Sequence, residues 1–188
     1  MPHPWPDALR RELRTDHAGE AGAVMIYRGV LALAREAALR EFARHHLATE
    51  SRHLTLIEGV VPPEGRSRLL PLWRLAGWLT GAIPALFGAR AVYATIEAVE
   101  TFVDAHYAAQ LDLIDGLLPA ADAPLRARLA ELRAMLSDCR EDELVHRDDA
   151  RTRRGTMRER GLVAGLVALW CGVVGAGSAG AVRVSRWV

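Results

Sequence analysis

Lysine is absent: all 24 basic residues of this 188-residue chain are arginine. They face 23 acidic residues, so the net charge is only +1 and nothing marks a nucleic-acid partner. Cysteine is scarce. Cys139 and Cys171 alone exclude a disulfide scaffold, a Cys-rich zinc site and a four-Cys iron–sulfur cluster. Strand signals are missing as well, since no stretch alternates apolar and polar residues at period two. The opening Met1-Pro2-His3-Pro4-Trp5-Pro6 lacks the apolar core of a secretory signal, so a cytosolic start is expected. What is present is 51% hydrophobic and 25% charged residues, which suits one packed domain over 1–188.

Long Ala/Leu/Arg/Glu stretches with a 3.6-residue period lie between proline-marked breaks. They predict an all-α chain with four long helices. These cover Asp7–Ala34, with Asp7 as N-cap, then Ala38–Val60, Arg90–Leu118 and Pro124–Arg154. Two apolar segments remain. Segment 69–88 contains Trp73, Arg74 and Trp78 and is broken by Pro71 and Pro84. Segment 161–182 runs 22 residues without a charge, between Arg158 and Arg160 on one side and Arg183 and Arg186 on the other. Its length would cross a bilayer. Its six glycines and two basic flanks favour a helix lying in the membrane interface, with a span and a buried core helix as the other readings. Gly175-Ala176-Gly177-Ser178-Ala179-Gly180 matches a dinucleotide-binding pattern literally, but no βαβ unit can surround it. It is assigned to close helix packing or lipid contact.

The informative residues are carboxylates where leucines belong. The stripe of the last long helix reads Leu125, Leu129, Leu132, Leu136, Cys139, Glu143, His146, in steps of four and three. The second helix reads Leu39, Ala43, His46, Glu50, His53, Ile57. Glu20 interrupts the apolar face of Leu13, Val24, Tyr27 and Leu31. Glu100 does the same among Tyr93, Ile96, Val103, Tyr107 and Leu111. Isolated buried carboxylates cost several kcal/mol each unless charge compensates them. One Glu from each of two helices and Glu-x-x-His from each of two others is the ligand set of carboxylate-bridged di-iron and di-manganese bundles. Glu20, Glu50, His53, Glu100, Glu143 and His146 are therefore the candidate metal ligands, and oxygen and nitrogen donors suit iron or manganese. Glu97 is the weaker choice beside Glu100. His17, His45 and His46 are read as surface or supporting groups. The order is a repeat: Glu20 precedes its Glu-x-x-His by 30 residues, and Glu100 precedes its own by 43.

These residues bring the chain close to a known family. Asp16-His17-Ala18-Gly19-Glu20-Ala21-Gly22-Ala23, Glu50-Ser51-Arg52-His53-Leu54, Pro71-Leu72-Trp73, Val99-Glu100 with His106-Tyr107, and Asp142-Glu143-Leu144-Val145-His146 resemble the demethoxyubiquinone hydroxylases of ubiquinone biosynthesis. The resemblance runs from about Leu13 to the C-terminus. It implies a ferritin-like four-helix bundle, with the two apolar segments as additional membrane-facing helices. It also implies two iron ions per chain, O2 as co-substrate, and hydroxylation of a polyprenylated demethoxy-benzoquinol. Tyr107 would line the quinone pocket, and His106 would bond a ring oxygen or carry a proton. The chain carries no credible reductant-binding motif, so electrons are expected from outside, with NADH acting through bound quinone preferred over a docked reductase. Expected partners are the quinol, the membrane surface and a lipid-presenting protein of the same pathway, with a homo-oligomer left open. The expected location is peripheral or monotopic, on the cytoplasmic face of the inner membrane. Three positions depart from the family pattern: Ala21 replaces a frequent Tyr, Arg147 a frequent His, and Ala105 a frequent His. None removes a ligand. Two other classes use the same residues: a soluble ferritin-like oxidase or iron-handling protein, and a non-enzymatic membrane-associated bundle whose carboxylates pair with arginine.

Overall fold

The computed structural model describes residues 5–155 and 162–187. Pro2, His3, Pro4, Arg158, Arg160 and Gly161, invoked above, lie outside the described residues. Among the described residues there is no strand, and the helices are α1 (Asp7–Leu33), α2 (Ala37–Val60), α3 (Leu70–Leu86), α4 (Ala89–Leu117), α5 (Ala123–Arg154) and α6 (Leu162–Ser185). The chain is an all-α, ferritin-like bundle of α1, α2, α4 and α5. The four expected long helices appear with ends shifted by at most one residue. Asp7 is not the cap of α1. Pro6 holds the capping position at φ −56°, and Asp7 lies in the first turn, where its charge suits the helix dipole and pairs with Arg10 at 3.0 Å. On α5 the Asp122 carboxylate accepts from the Leu125 amide at 2.9 Å, and Pro124 fits the first turn.

The repeat suggested by the ligand spacing is visible in the turns. Arg40, early in α2, reaches back to the Leu31 and Ala34 carbonyls at 2.6 and 3.0 Å. Arg126, at the same place in α5, reaches back to Leu118 and Ala121 at 3.3 and 2.9 Å. Each arginine satisfies carbonyls that the end of the preceding helix leaves open. Then α3 packs along α1, and α6 lies against α4. The molecule is thus two copies of one plan: a hairpin of long helices followed by an apolar helix.

Segment 69–88 is not broken by its prolines. Pro71 sits in the first turn of α3, where no amide hydrogen is needed, and Pro84 falls in the last turn. The left-handed φ of +94° at Gly88 then lets the chain turn into α4. Helices α1 and α3 approach to backbone contact through glycine. A Cβ on Gly81 would lie 1.9 Å from the Ile26 carbonyl oxygen, one on Gly77 2.3 Å from that of Gly22, and one on Gly29 2.2 Å from that of Trp78. By contrast, a Cβ on Gly175, Gly177 or Gly180 would meet nothing within 4 Å. Close helix packing is therefore not the role of the C-terminal glycines.

The core divides into two apolar plugs. Leu9, Leu13, Ile57, Leu129 and Leu136 fill one end of the bundle. Tyr27, Val30, Leu39, Phe42, Val92 and Ile96 fill the other. The four stripe glutamates lie between them.

Candidate metal centre

All six candidate ligands converge, and each is at most 4% exposed. Glu20, Glu50, His53 and Glu143 place ligand atoms within 4.8 Å of one another, and so do Glu50, Glu100, Glu143 and His146. The two groups share Glu50 and Glu143, the arrangement two bridged cations require. Both imidazoles turn Nδ1 inward. Nδ1 of His53 lies 3.0 Å from Glu143 Oε1, and Nδ1 of His146 lies 3.3 Å from Glu143 Oε2. Nδ1 of His146 is also 2.9 Å from Glu50 Oε1, yet the two are not aligned as a hydrogen bond. Glu20 Oε2, both oxygens of Glu50, and Glu143 Oε2 are buried without a hydrogen-bond partner among the described residues. Such orphaned atoms are costly, and a cation between them would satisfy all of them at once. The donor set thus fits a pair of hard or borderline ions.

The charge balance says the same. Burial, reinforced by the neighbouring Glu50 and Glu143, pushes Glu20 well above the usual carboxylate range. Burial with Glu143 and Glu50 does so for Glu100, and burial with Glu143 raises Glu50. Burial opposes the charged form of His146 too, but the adjacent carboxylates of Glu143 and Glu50 outweigh it and raise its pKa to about 9. Without cations the cluster holds protons in their place.

Further residues complete the site; among them only Tyr107 was expected there, as a pocket-lining residue. Tyr27 of α1 donates its hydroxyl to Glu100 of α4 at 3.3 Å. Tyr107 of α4 donates to Glu20 of α1. Each tyrosine lies seven residues after the glutamate of its own helix and binds the glutamate of the other. That equal offset was the signal available in the chain. Asp142 accepts from His53 Nε2 at 3.0 Å and also pairs with Arg52, fixing which ring nitrogen faces the cluster. His46 is buried, its ring 4.2 Å from that of His146, with Nε2 donating to Asp149 at 3.0 Å. Burial and the nearby His146 push its pKa down to about 4, so it stays neutral. His17 is buried beside Glu58, whereas His45 is exposed. Glu97 points away from the cluster to Arg151 and Arg154, at 2.9 and 2.8 Å.

A cavity of about 680 Å³ opens from the cluster. Glu20, Glu50, Glu100 and Glu143 lie at its floor, with Tyr107 and His106 on the wall. The rest is almost wholly apolar, from Ile26, Val99 and Phe102 to a rim that includes Leu72 and Leu79 of α3 and Val173 and Val184 of α6. Residues 7–185 match the family model described as ubiquinone biosynthesis protein COQ7. The chain belongs to this family. It is 42% identical, over 77% of its length, to a 3-demethoxyubiquinol 3-hydroxylase of Rhodospirillum rubrum. It is 34% identical, over 73%, to an NADPH-dependent 3-demethoxyubiquinone 3-hydroxylase, mitochondrial, of Dictyostelium discoideum. It is also 34% identical, over 76%, to a 5-demethoxyubiquinone hydroxylase, mitochondrial, of Saccharomyces cerevisiae. These matches span 65%, 61% and 64% of the relatives' own lengths.

Proposed function

We propose that this COQ7-family chain is a di-iron monooxygenase that hydroxylates a polyprenylated demethoxy-benzoquinol. The observation that carries the reading is the apolar cavity ending on four buried glutamates and two histidines. Glu20, Glu50, His53, Glu100, Glu143 and His146 would hold two iron ions, which supply the electrons and Lewis acidity that O2 activation needs. The reaction consumes O2, two electrons and two protons, and yields the hydroxylated ring and water. Tyr107 steadies Glu20 from the cavity side. The apolar wall excludes water from the reacting ring. The prenyl tail leaves between α3 and α6. A reduced nicotinamide is the electron source. The family resemblance implies NADH, whereas the Dictyostelium relative is named as NADPH-dependent.

The same reading places the chain on a membrane surface. Leu72, Leu75, Leu86 and Phe87 at the α3 side, and Leu166, Leu169 and Trp187 at the α6 side, are each more than half exposed. Among the described residues, Gly165–Ser185 is the helix long and apolar enough to cross a bilayer, by length and composition. These faces border the cavity rim, so a lipid-dissolved substrate enters without crossing water. In liposome flotation the chain should float, and Leu72→Glu with Leu75→Glu should release most of it. Unchanged flotation would move the contact off α3.

The function is tested by iron content together with turnover of a short-chain demethoxy-benzoquinol. Two irons per chain and a hydroxylated product are expected. Glu143→Ala removes a carboxylate common to both groups and should abolish product. Full hydroxylation by that variant, at normal iron loading, would remove Glu143 from the site.

A further inference from the structure

Asp16 is no part of the ligand set, yet its side chain is fully buried. It lies one turn before Glu20 on α1 and uses both carboxylate oxygens. Oδ1 accepts from His106 Nε2 at 2.8 Å, and Oδ2 accepts from Gln110 Nε2 at 2.7 Å. Gln110 follows His106 by one turn of α4 and is itself 2% exposed. Phe102, one turn earlier, stacks on the imidazole with 6.5 Å between centroids and 13° between planes. His106 is therefore clamped in orientation while its side chain, 13% exposed, lines the cavity.

A carboxylate only accepts, so Nε2 carries a hydrogen and is committed to Asp16. Nδ1, the other ring nitrogen of this cavity-lining residue, makes no hydrogen bond among the described residues. We infer that Asp16 and Gln110 are positioning residues that present His106 Nδ1 to a ring oxygen of the benzoquinol. The inference rests on the reading that the cavity holds that ring. A neutral imidazole accepts there from a ring hydroxyl, and a protonated one donates to a ring carbonyl. Burial alone would lower the pKa of His106, but the hydrogen bond and charge of Asp16 outweigh it and raise it. In both forms the same atom meets the ligand, because the opposite nitrogen is held. Without Asp16 the ring could turn and offer either nitrogen.

The test is a double-mutant cycle on the iron-loaded full chain, supplied with NADH or NADPH and a short-chain demethoxy-benzoquinol. Asp16→Asn keeps the shape and removes the charge. Gln110→Met removes the second contact and serves if Asp16→Asn folds poorly. Iron content and thermal midpoint are read on every variant. Asp16→Asn should lower kcat about tenfold or more, the scale of a charged hydrogen bond, with KM little changed because burial of the ring against the apolar wall dominates binding. In a His106→Ala background the same substitution should cost nothing further. An equal loss in both backgrounds, or full kcat in Asp16→Asn, would overturn the positioning role while an active wild type keeps the hydroxylase reading. A wild-type chain that turns over no quinol overturns both.

Discussion

At the scale of single residues, the site depends on which nitrogen each imidazole turns toward the carboxylates. Asp142, partly exposed at the edge of the site, shows how. It takes the Nε2 hydrogen of His53, so Nδ1 is left free for the cluster. Asp142→Ala should weaken metal binding about tenfold to a hundredfold, as loss of such a partner does, with the fold retained. Competition against a chelator of known affinity measures it. The convergence of the six candidate ligands was legible because each carboxylate or imidazole breaks an apolar stripe, and a stripe is a local property. Asp142, Tyr27, Asp16 and Gln110 were not legible as parts of the site. Their roles depend on which residues of another helix lie opposite, and no spacing within one helix contains that register. Tyr107 and His106 were expected at a pocket and do line it, but the Tyr107 hydroxyl is already engaged by Glu20.

At the scale of elements, the helices followed from periodicity and their ends from proline, while the one aspartate read as a cap, Asp7, proved to lie a residue inside α1. What periodicity could not show was how closely two helices approach. The C-terminal glycines are read from the sequence as helix packing or lipid contact, and the packing seam lies instead between α1 and α3, at Gly22, Gly29, Gly77 and Gly81. A glycine in a helix means close approach only if another backbone lies opposite, which is again a matter of register. Gly81→Ala should therefore destabilise the fold by about 1–3 kcal/mol or more, because its new methyl meets a backbone oxygen that cannot swing aside. Gly59→Ala, with nothing within 4 Å of its Cβ, should instead stabilise α2 by about 0.5–1 kcal/mol. Urea midpoints of the two variants against wild type check both signs.

At the scale of the whole molecule, the centre of the bundle ties stability to pH and to metal supply. In the metal-free protein Glu20, Glu50, Glu100 and His146 all have raised pKa values. A raised group contributes stability that is fully present below its unfolded pKa and lost as pH rises through its folded one. The metal-free chain should therefore lose thermal stability above about pH 4.5, and keep losing it toward pH 9, where His146 gives up its proton. Burial would raise the pKa of Glu143, but the adjacent His146 and His53 lower it, so this group acts oppositely and only under more acid conditions. Divalent metal should cancel the alkaline loss, so its stabilising effect grows with pH. Melting curves from pH 5 to 9, with and without Fe(II) under anaerobic conditions, test this. The doubled plan of the chain has one more consequence. Its halves match in their glutamates and tyrosines but not behind their histidines: His53 is backed by a carboxylate, and His146 lies beside the neutral ring of His46. A more basic imidazole binds a cation more tightly. On the proposed di-iron reading the two ions would not be equivalent, and occupancy should rise in two steps. At limiting iron the prevailing form should be singly loaded, with the His53 position filled first.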